Sequence, residues 1–127
     1  MIQEDKELLL VDLSARFPYG VKVQGNFKWG FDGQIMDDMR ESVLDIETLD
    51  WLMHGVEVRP YLRPMSSMTE EEYKEYSKLW NLQDEFPTDA DIRLKVDLFD
   101  WLNAHHFDYR NLIEKGLALK APEGMYN

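Results

Sequence analysis

Apolar positions recur at three- and four-residue intervals over residues 4–16, where Leu9, Leu10, Leu13 and Phe17 share one side of a helix that Asp5 can cap. Pro18 ends that pattern and, by its clash with the residue before it, predicts an extended Phe17. The period then falls to two. Tyr19, Val21 and Val23 alternate with Gly20, Lys22 and Gln24, and Gly25-Asn26 predicts a turn. Phe27, Trp29 and Phe31, alternating with Lys28 and Gly30 and running into Gly33-Gln-Ile-Met36, predict a second strand. Asp37-Asp-Met-Arg-Glu41 predicts a loop, Ser42 to Thr48 a third strand, and Asp50 to His54 a single helical turn. Val56 and Val58, set against Glu57 and Arg59, give one more strand, which Pro60 and Pro64 close because neither has an N–H to donate to a ladder.

From there the pattern is helical. Thr69 with Glu72 three residues on is a capping box, so a helix starts at Glu70 and runs to about Leu82, with Met68 and Tyr73 placed as a staple and Tyr73, Tyr76, Leu79 and Trp80 on one side. Thr88 with Asp91 repeats the capping signal ahead of a helix from Asp89 to about His106. Stepping that segment by about 100° per residue spreads Ile92, Leu94, Val96, Leu98, Phe99, Trp101 and Leu102 over more than half the circumference, which predicts a central helix. Asp108 can cap a last short helix, Tyr109 to Lys115, with Gly116 in the left-handed closing position. The expected fold is one α+β domain over residues 1–127. Residues 4–61 hold a helix and a small antiparallel β-meander, with an SH3-like barrel as one way of closing it; residues 69–116 hold two to three helices, and 120–127 a tail.

Composition narrows the function classes. A chain of 127 residues with 44% hydrophobic and 13% aromatic content can bury one core. There is no cysteine, hence no disulfide framework, thiol nucleophile or thiolate metal site. No apolar run approaches the roughly 20 residues that span a bilayer, and Met1-Ile-Gln-Glu-Asp-Lys6 lacks the basic start of a signal peptide, so a cytoplasmic protein is expected, with no membrane partner. The formal charge of −11, from 25 acids against 14 bases, argues against a nucleic-acid surface.

Three blocks, Phe17-Pro-Tyr-Gly-Val21, Arg59-Pro-Tyr-Leu-Arg-Pro-Met-Ser-Ser-Met-Thr-Glu-Glu-Glu72, and Phe99-Asp-Trp-Leu-Asn-Ala-His-His-Phe-Asp-Tyr-Arg110 with Ala121-Pro-Glu-Gly-Met-Tyr126, resemble an uncharacterised family of short acidic proteins from gut bacteria or their phages. The resemblance implies a bacterial intracellular or mobile-element setting. It brings no catalytic residue with it.

Two constellations carry candidate chemistry. Arg59, Tyr61 and Arg63, set among prolines, could form a ledge for anions or peptides, since arginine offers a planar fork to carboxylate or phosphate; the alternative is that these arginines pair with the surplus acids. His105, His106 and Asp108 have the chemistry of metal ligands or of an acid–base pair, but neighbouring helical residues diverge by about 100°, which favours a structural role near the helix end. Asp97 and Asp100 read as a solvated helix face, and Gly25, Gly30 and Gly33 as turn or bulge residues. The expected function is that of a small accessory or adaptor protein without enzymatic activity or cofactor, acting on another protein. The alternatives are a metal-dependent enzyme using His105, His106 and Asp108, and a polyanion mimic that occupies a basic partner.

Overall fold

The computed structural model describes residues 2–31, 34–85 and 90–126. Helix α1 spans Gln3–Arg16, strands β1 and β2 span Lys22–Phe31 and Gln34–Val43, helix α2 spans Ile46–Met53, and strand β3 spans Glu57–Leu62. Helices α3 (Glu70–Glu85) and α4 (Ala90–Ala104) follow, then a two-residue strand β4 (Leu119–Lys120). The class is α+β. Strand order is β2–β1–β3–β4, antiparallel except for β4, which runs parallel to β3 through Tyr61↔Leu119 and Leu62↔Lys120. The sheet is therefore mixed, where a purely antiparallel meander was expected, and no pairing of β2 with β4 closes it into a barrel among the described residues.

Several local expectations are corrected. Helix α1 begins after Ile2 with no side-chain cap, so Asp5 does not serve. Phe17 is helical (φ −51°, ψ −45°), because Pro18 opens a short 3₁₀ turn in which its missing N–H costs nothing; Gly20, at φ 68°, ends it. Gly25-Asn26 is not a turn: β1 runs straight through it. A Cβ on Gly25 would lie 2.9 Å from Cε3 of Trp51, so this glycine serves the close approach of helix α2 to the strand.

The polar run Asp37 to Glu41 is strand, in register with β1 through Asp37↔Lys28 and Glu41↔Gln24. The third strand expected over 42–48 does not form: Ser42 and Val43 end β2, and 46–48 start α2. Asp45 accepts from the Thr48 amide (2.8 Å) while the Thr48 hydroxyl accepts from the Asp45 amide (2.8 Å), a capping box with threonine in the glutamate's place. Pro60 lies inside β3, at the end of its ladder with β1, where the next residues change partner to β4 and a lost N–H is tolerated. The Thr69–Glu72 box forms as read, with Thr69 N–H donating to Glu72 Oε1 (2.9 Å) and Glu72 N–H to Thr69 Oγ1 (3.2 Å). Thr88, the capping half of the Thr88–Asp91 signal, lies outside the described residues.

Helix α4 ends in a left-handed residue, His106 (φ 63°). The Phe107 amide reaches back to the Leu102 carbonyl (3.0 Å) and the His106 amide to that of Asn103 (3.1 Å), a closure that glycine usually makes. The short helix expected over 109–115 is a set of turns, since Asn111 at φ 59° interrupts helical geometry and Asp108 caps the turn instead. Gly116 does take a positive φ, 76°.

Two apolar clusters result among the described residues. One joins Leu9 and Leu13 of α1 to Val21, Val23 of β1, Leu52 of α2, and Val58 and Leu62 of β3. The other places Leu98 and Leu102 of α4 with Phe107, flanked by Met68, Tyr76 and Leu79. Tyr73 and Trp80, expected on one side of α3 with Tyr76 and Leu79, are exposed. Helix α4 is not central: Val96 and Phe99 are 51% and 45% exposed.

Candidate binding site

The expected ledge is already occupied from within. Arg59 pairs with Glu57 across one strand step. Tyr61 is buried, its hydroxyl donating to Glu41 (2.6 Å) and accepting from Gln24 Nε2 (3.1 Å); burial, and then the Glu41 carboxylate, push its ionisation up. Arg63 grips both oxygens of Glu72 at 2.7 Å and lies over the Phe107 ring with its Cζ 4.3 Å from the centroid. That guanidinium holds the Glu72 carboxyl down at about 2, with the Thr69 amide adding to it. The Arg63 backbone bonds on both sides to the segment after α4, its N–H to the His106 carbonyl and its carbonyl to the Asp108 N–H, each 2.8 Å. Arg63 therefore staples two layers together.

His105, His106 and Asp108 are near in sequence and apart in duty. His105 Nδ1 lies 2.9 Å from the Trp101 carbonyl, which can only accept, so the ring carries its proton there. Both Asp108 oxygens are taken by backbone amides, Leu112 at 2.9 Å and Ile113 at 3.0 Å. His106 stacks on Tyr126 (3.8 Å between centroids, 20° between planes), and its Nδ1 is buried without a partner. Burial pushes the ring down to about 4, and Arg16, Arg63 and His105 push the same way. No group of three His, Asp or Glu residues among the described ones is arranged to hold a metal ion, and the three-residue set named above is not brought together.

What the sequence reading missed lies at the seam between the two apolar clusters. Asp12 and Arg16 sit one helical turn apart on the apolar side of α1, both wholly buried, with Arg16 Nε 2.8 Å from Asp12 Oδ2. Arg16 Nη2 donates to the Phe107 carbonyl at 2.7 Å, tying α1 to the end of α4. Arg110 Nε approaches the other Asp12 oxygen at 3.3 Å, so one carboxylate lies between two guanidiniums, and the Tyr109 ring is within about 5 Å of both (5.2 and 5.1 Å). A signal was present: Leu9, Asp12, Leu13 and Arg16 share helical spacing, an acid and a base four apart inside an apolar stripe.

Beside this seam, α1 and α4 diverge to leave a groove of about 740 Å³. Ala15 forms one wall; Val96, Phe99 and Asn103 form the other. Tyr109 closes one end, its ring 5.2 Å from Phe99 and its hydroxyl donating to Asn103 Oδ1 at 2.9 Å. The wall side chains are positioned by secondary structure and a hydrogen bond before anything binds.

In comparisons with protein-family models, with curated proteins and with solved structures, nothing matches the chain. No helix among the described residues is long and apolar enough to cross a membrane.

Proposed function

We propose that this chain is a non-enzymatic accessory protein of the bacterial cytoplasm that works by protein–protein contact, with the groove between α1 and α4 as its docking surface. One observation carries the reading. Val96 and Phe99 stand about half exposed on the wall of a preformed apolar groove, on a helix whose opposite side, at Leu98 and Leu102, is buried. Large exposed apolar side chains gathered at one concavity are what interaction sites present, whereas single scattered ones need no explanation. The polar groups that looked chemical support the same reading by their commitments: Arg63 to Glu72, Asp108 to two amides, His105 to a carbonyl. The acidic balance of the chain favours a protein partner over nucleic acid.

The test is paired capture. Tagged wild type and a Val96→Glu variant of equal circular-dichroism spectrum are used to pull partners from a bacterial host lysate. A stoichiometric protein present with wild type and lost with the variant is expected. A partner held equally by both would remove the groove from the function, and turnover of a substrate that depends on His105 or His106 would replace the reading with an enzymatic one.

A further inference from the structure

Residues 119–126 lie along β3 as a strap, and few bonds hold them there. Lys120, Pro122, Glu123 and Gly124 are exposed. At one end the two-residue ladder of β4 and the Ala121 amide, donating to the Leu62 carbonyl at 2.8 Å, tie the strap to β3. At the other end the Tyr126 hydroxyl donates to the Tyr61 carbonyl (2.7 Å) and accepts from the Lys22 amide (2.9 Å), while Lys22 Nζ reaches the Met125 carbonyl (3.3 Å). Leu117 and Ala118, just before the strap, are buried in the first apolar cluster and give it a fixed root. A segment this exposed, with little buried apolar surface of its own, opens locally while the core stays shut.

Its far end closes on a single ring. His106 is 8% exposed beneath Tyr126, and its Nδ1 is buried without a partner. An imidazolium carries a proton on both nitrogens, so charging the covered ring would leave an N–H with nothing to accept it. The surrounding charges oppose that proton or are already spent. Arg16 from α1, Arg63 from the end of β3 and His105 after α4 all disfavour it. Glu72 of α3 is held by Arg63, Asp12 of α1 by Arg16 and Arg110, and Asp108 by two backbone amides. From β1, Lys22 is a further cation beyond Tyr126, whose own hydroxyl burial keeps neutral, pushed up to about 12. Lys120 and Glu123 line the neighbouring cleft from the strap itself and would leave with it.

We propose that residues 119–126 form an acid-released strap, latched by the stack of Tyr126 on His106, which swings off β3 when that ring takes a proton and does so ahead of wider unfolding. Release frees the Tyr61 and Leu62 carbonyls and the Lys22 amide, so a strand edge that the closed chain keeps paired becomes available only in acid. The device is independent of the α1–α4 groove.

The test is native-state hydrogen exchange by NMR on the full chain, at pH 7.5 and pH 5, with each rate corrected for the intrinsic pH dependence of exchange. The Ala121 and Lys22 amides report the strap; the Leu44 amide on the Val21 carbonyl and the Leu117 amide on the Leu112 carbonyl report the body beside it. The open ring titrates near 6.5 and the closed one at about 4, which sets a ceiling of about 30-fold on the gain in opening between the two pH values. Protection of the strap amides is expected to fall about ten-fold or more, with Leu44 and Leu117 falling several-fold less. Tyr126→Phe, which keeps the stack and removes the hydroxyl bonds, is expected to lower protection at both pH values and retain the fall. His106→Asn is expected to abolish the fall.

Strap amides whose protection is the same at both pH values overturn the inference. So does an equal loss at Leu44 and Leu117, which would make the event global, and so does a fall that survives in His106→Asn. Strap amides left unprotected at both pH values in that variant, with Leu44 and Leu117 still protected, would equally mark the ring as the latch.

Discussion

The buried imidazole of His106 makes stability depend on pH in a way that can be worked out in advance. Its ring is stacked on Tyr126, its Nδ1 has no partner, and the ionic groups around it are Arg16 from α1, Arg63 from the end of β3, and Glu72 and His105 across the small pocket they share. The folded ring titrates at about 4, against 6.5 when exposed. Below pH 6.5 the unfolded chain takes up a proton that the folded chain refuses, so this group destabilises the fold as pH falls, and its effect levels off below pH 4. Applying the linkage relation to those two values gives a loss of about 2 kcal/mol by pH 5 and about 3 kcal/mol by pH 4.

The perturbation is His106→Asn, since asparagine tolerates the left-handed backbone at φ 63° and carries no titrating ring. Urea denaturation of both proteins at half-unit steps from pH 7.5 to 4.5 gives the two stability curves. Other groups titrate in both proteins and cancel in the difference. The variant is expected to be less stable near neutrality, because the stack on Tyr126 is lost, and to converge on wild type as pH falls. Two curves that stay parallel down to pH 4.5 would refute the assignment of a depressed, buried imidazole at this position.

Other consequences can be checked alongside. Asp12→Ala strands two guanidiniums at the seam and should cost about 3–5 kcal/mol in urea denaturation, while Asp12→Leu combined with Arg16→Met should recover more than half of that loss. Glu72→Gln should cost stability at pH 7 but little at pH 2.5. The Arg63-bound carboxylate, held at about 2 against 4.5, contributes stability that is complete above pH 4.5 and lost as pH falls through 2, so wild type and variant should differ by about 2–3 kcal/mol only at the higher pH. Gly25→Ala puts a methyl 2.9 Å from Trp51 and should lower stability by about 1–3 kcal/mol, with a changed near-ultraviolet signal from that tryptophan; an unchanged melting temperature would show that α2 yields freely.

The class of the fold and the Thr69–Glu72 helix start were legible because both rest on local rules, period and capping. The failures have specific causes. Gly25-Asn26 carries turn chemistry, yet the glycine is there for a tryptophan 26 residues away, which no local window contains. Residues 46–48 look β-branched and strand-like, and the Asp45 cap was overlooked because its reciprocal partner is a threonine. The wide apolar arc of α4 predicts a central helix; Val96 and Phe99 instead line the groove beside α1, about half exposed. The arginines of the Pro60–Pro64 stretch found internal acids, Glu72 and Glu57, and no sequence pattern shows that Arg63 is also sandwiched against Phe107. The Asp12–Arg16–Arg110 seam joins residues almost 100 positions apart, and only its helical half could have been read.

The misread run Asp37 to Glu41 has a consequence of its own. It lies in β2, the terminal strand of the sheet, ten residues long, whose outer side has no neighbouring strand among the described residues. Such a side is a template on which another chain can extend the sheet, and Met39, exposed on it, would reward that contact. The charges that disguise the strand as a loop act as gatekeepers: Arg40 and Asp38, paired at 2.9 Å and solvent-exposed, must be desolvated before a second edge can approach. Replacing Asp38 and Arg40 by their neutral counterparts asparagine and glutamine should leave the monomer's fold intact while turning concentrated solutions into fibrils, seen as thioflavin fluorescence that grows with protein concentration. On that outcome, the charge of this segment would be what keeps the chain from its own copies.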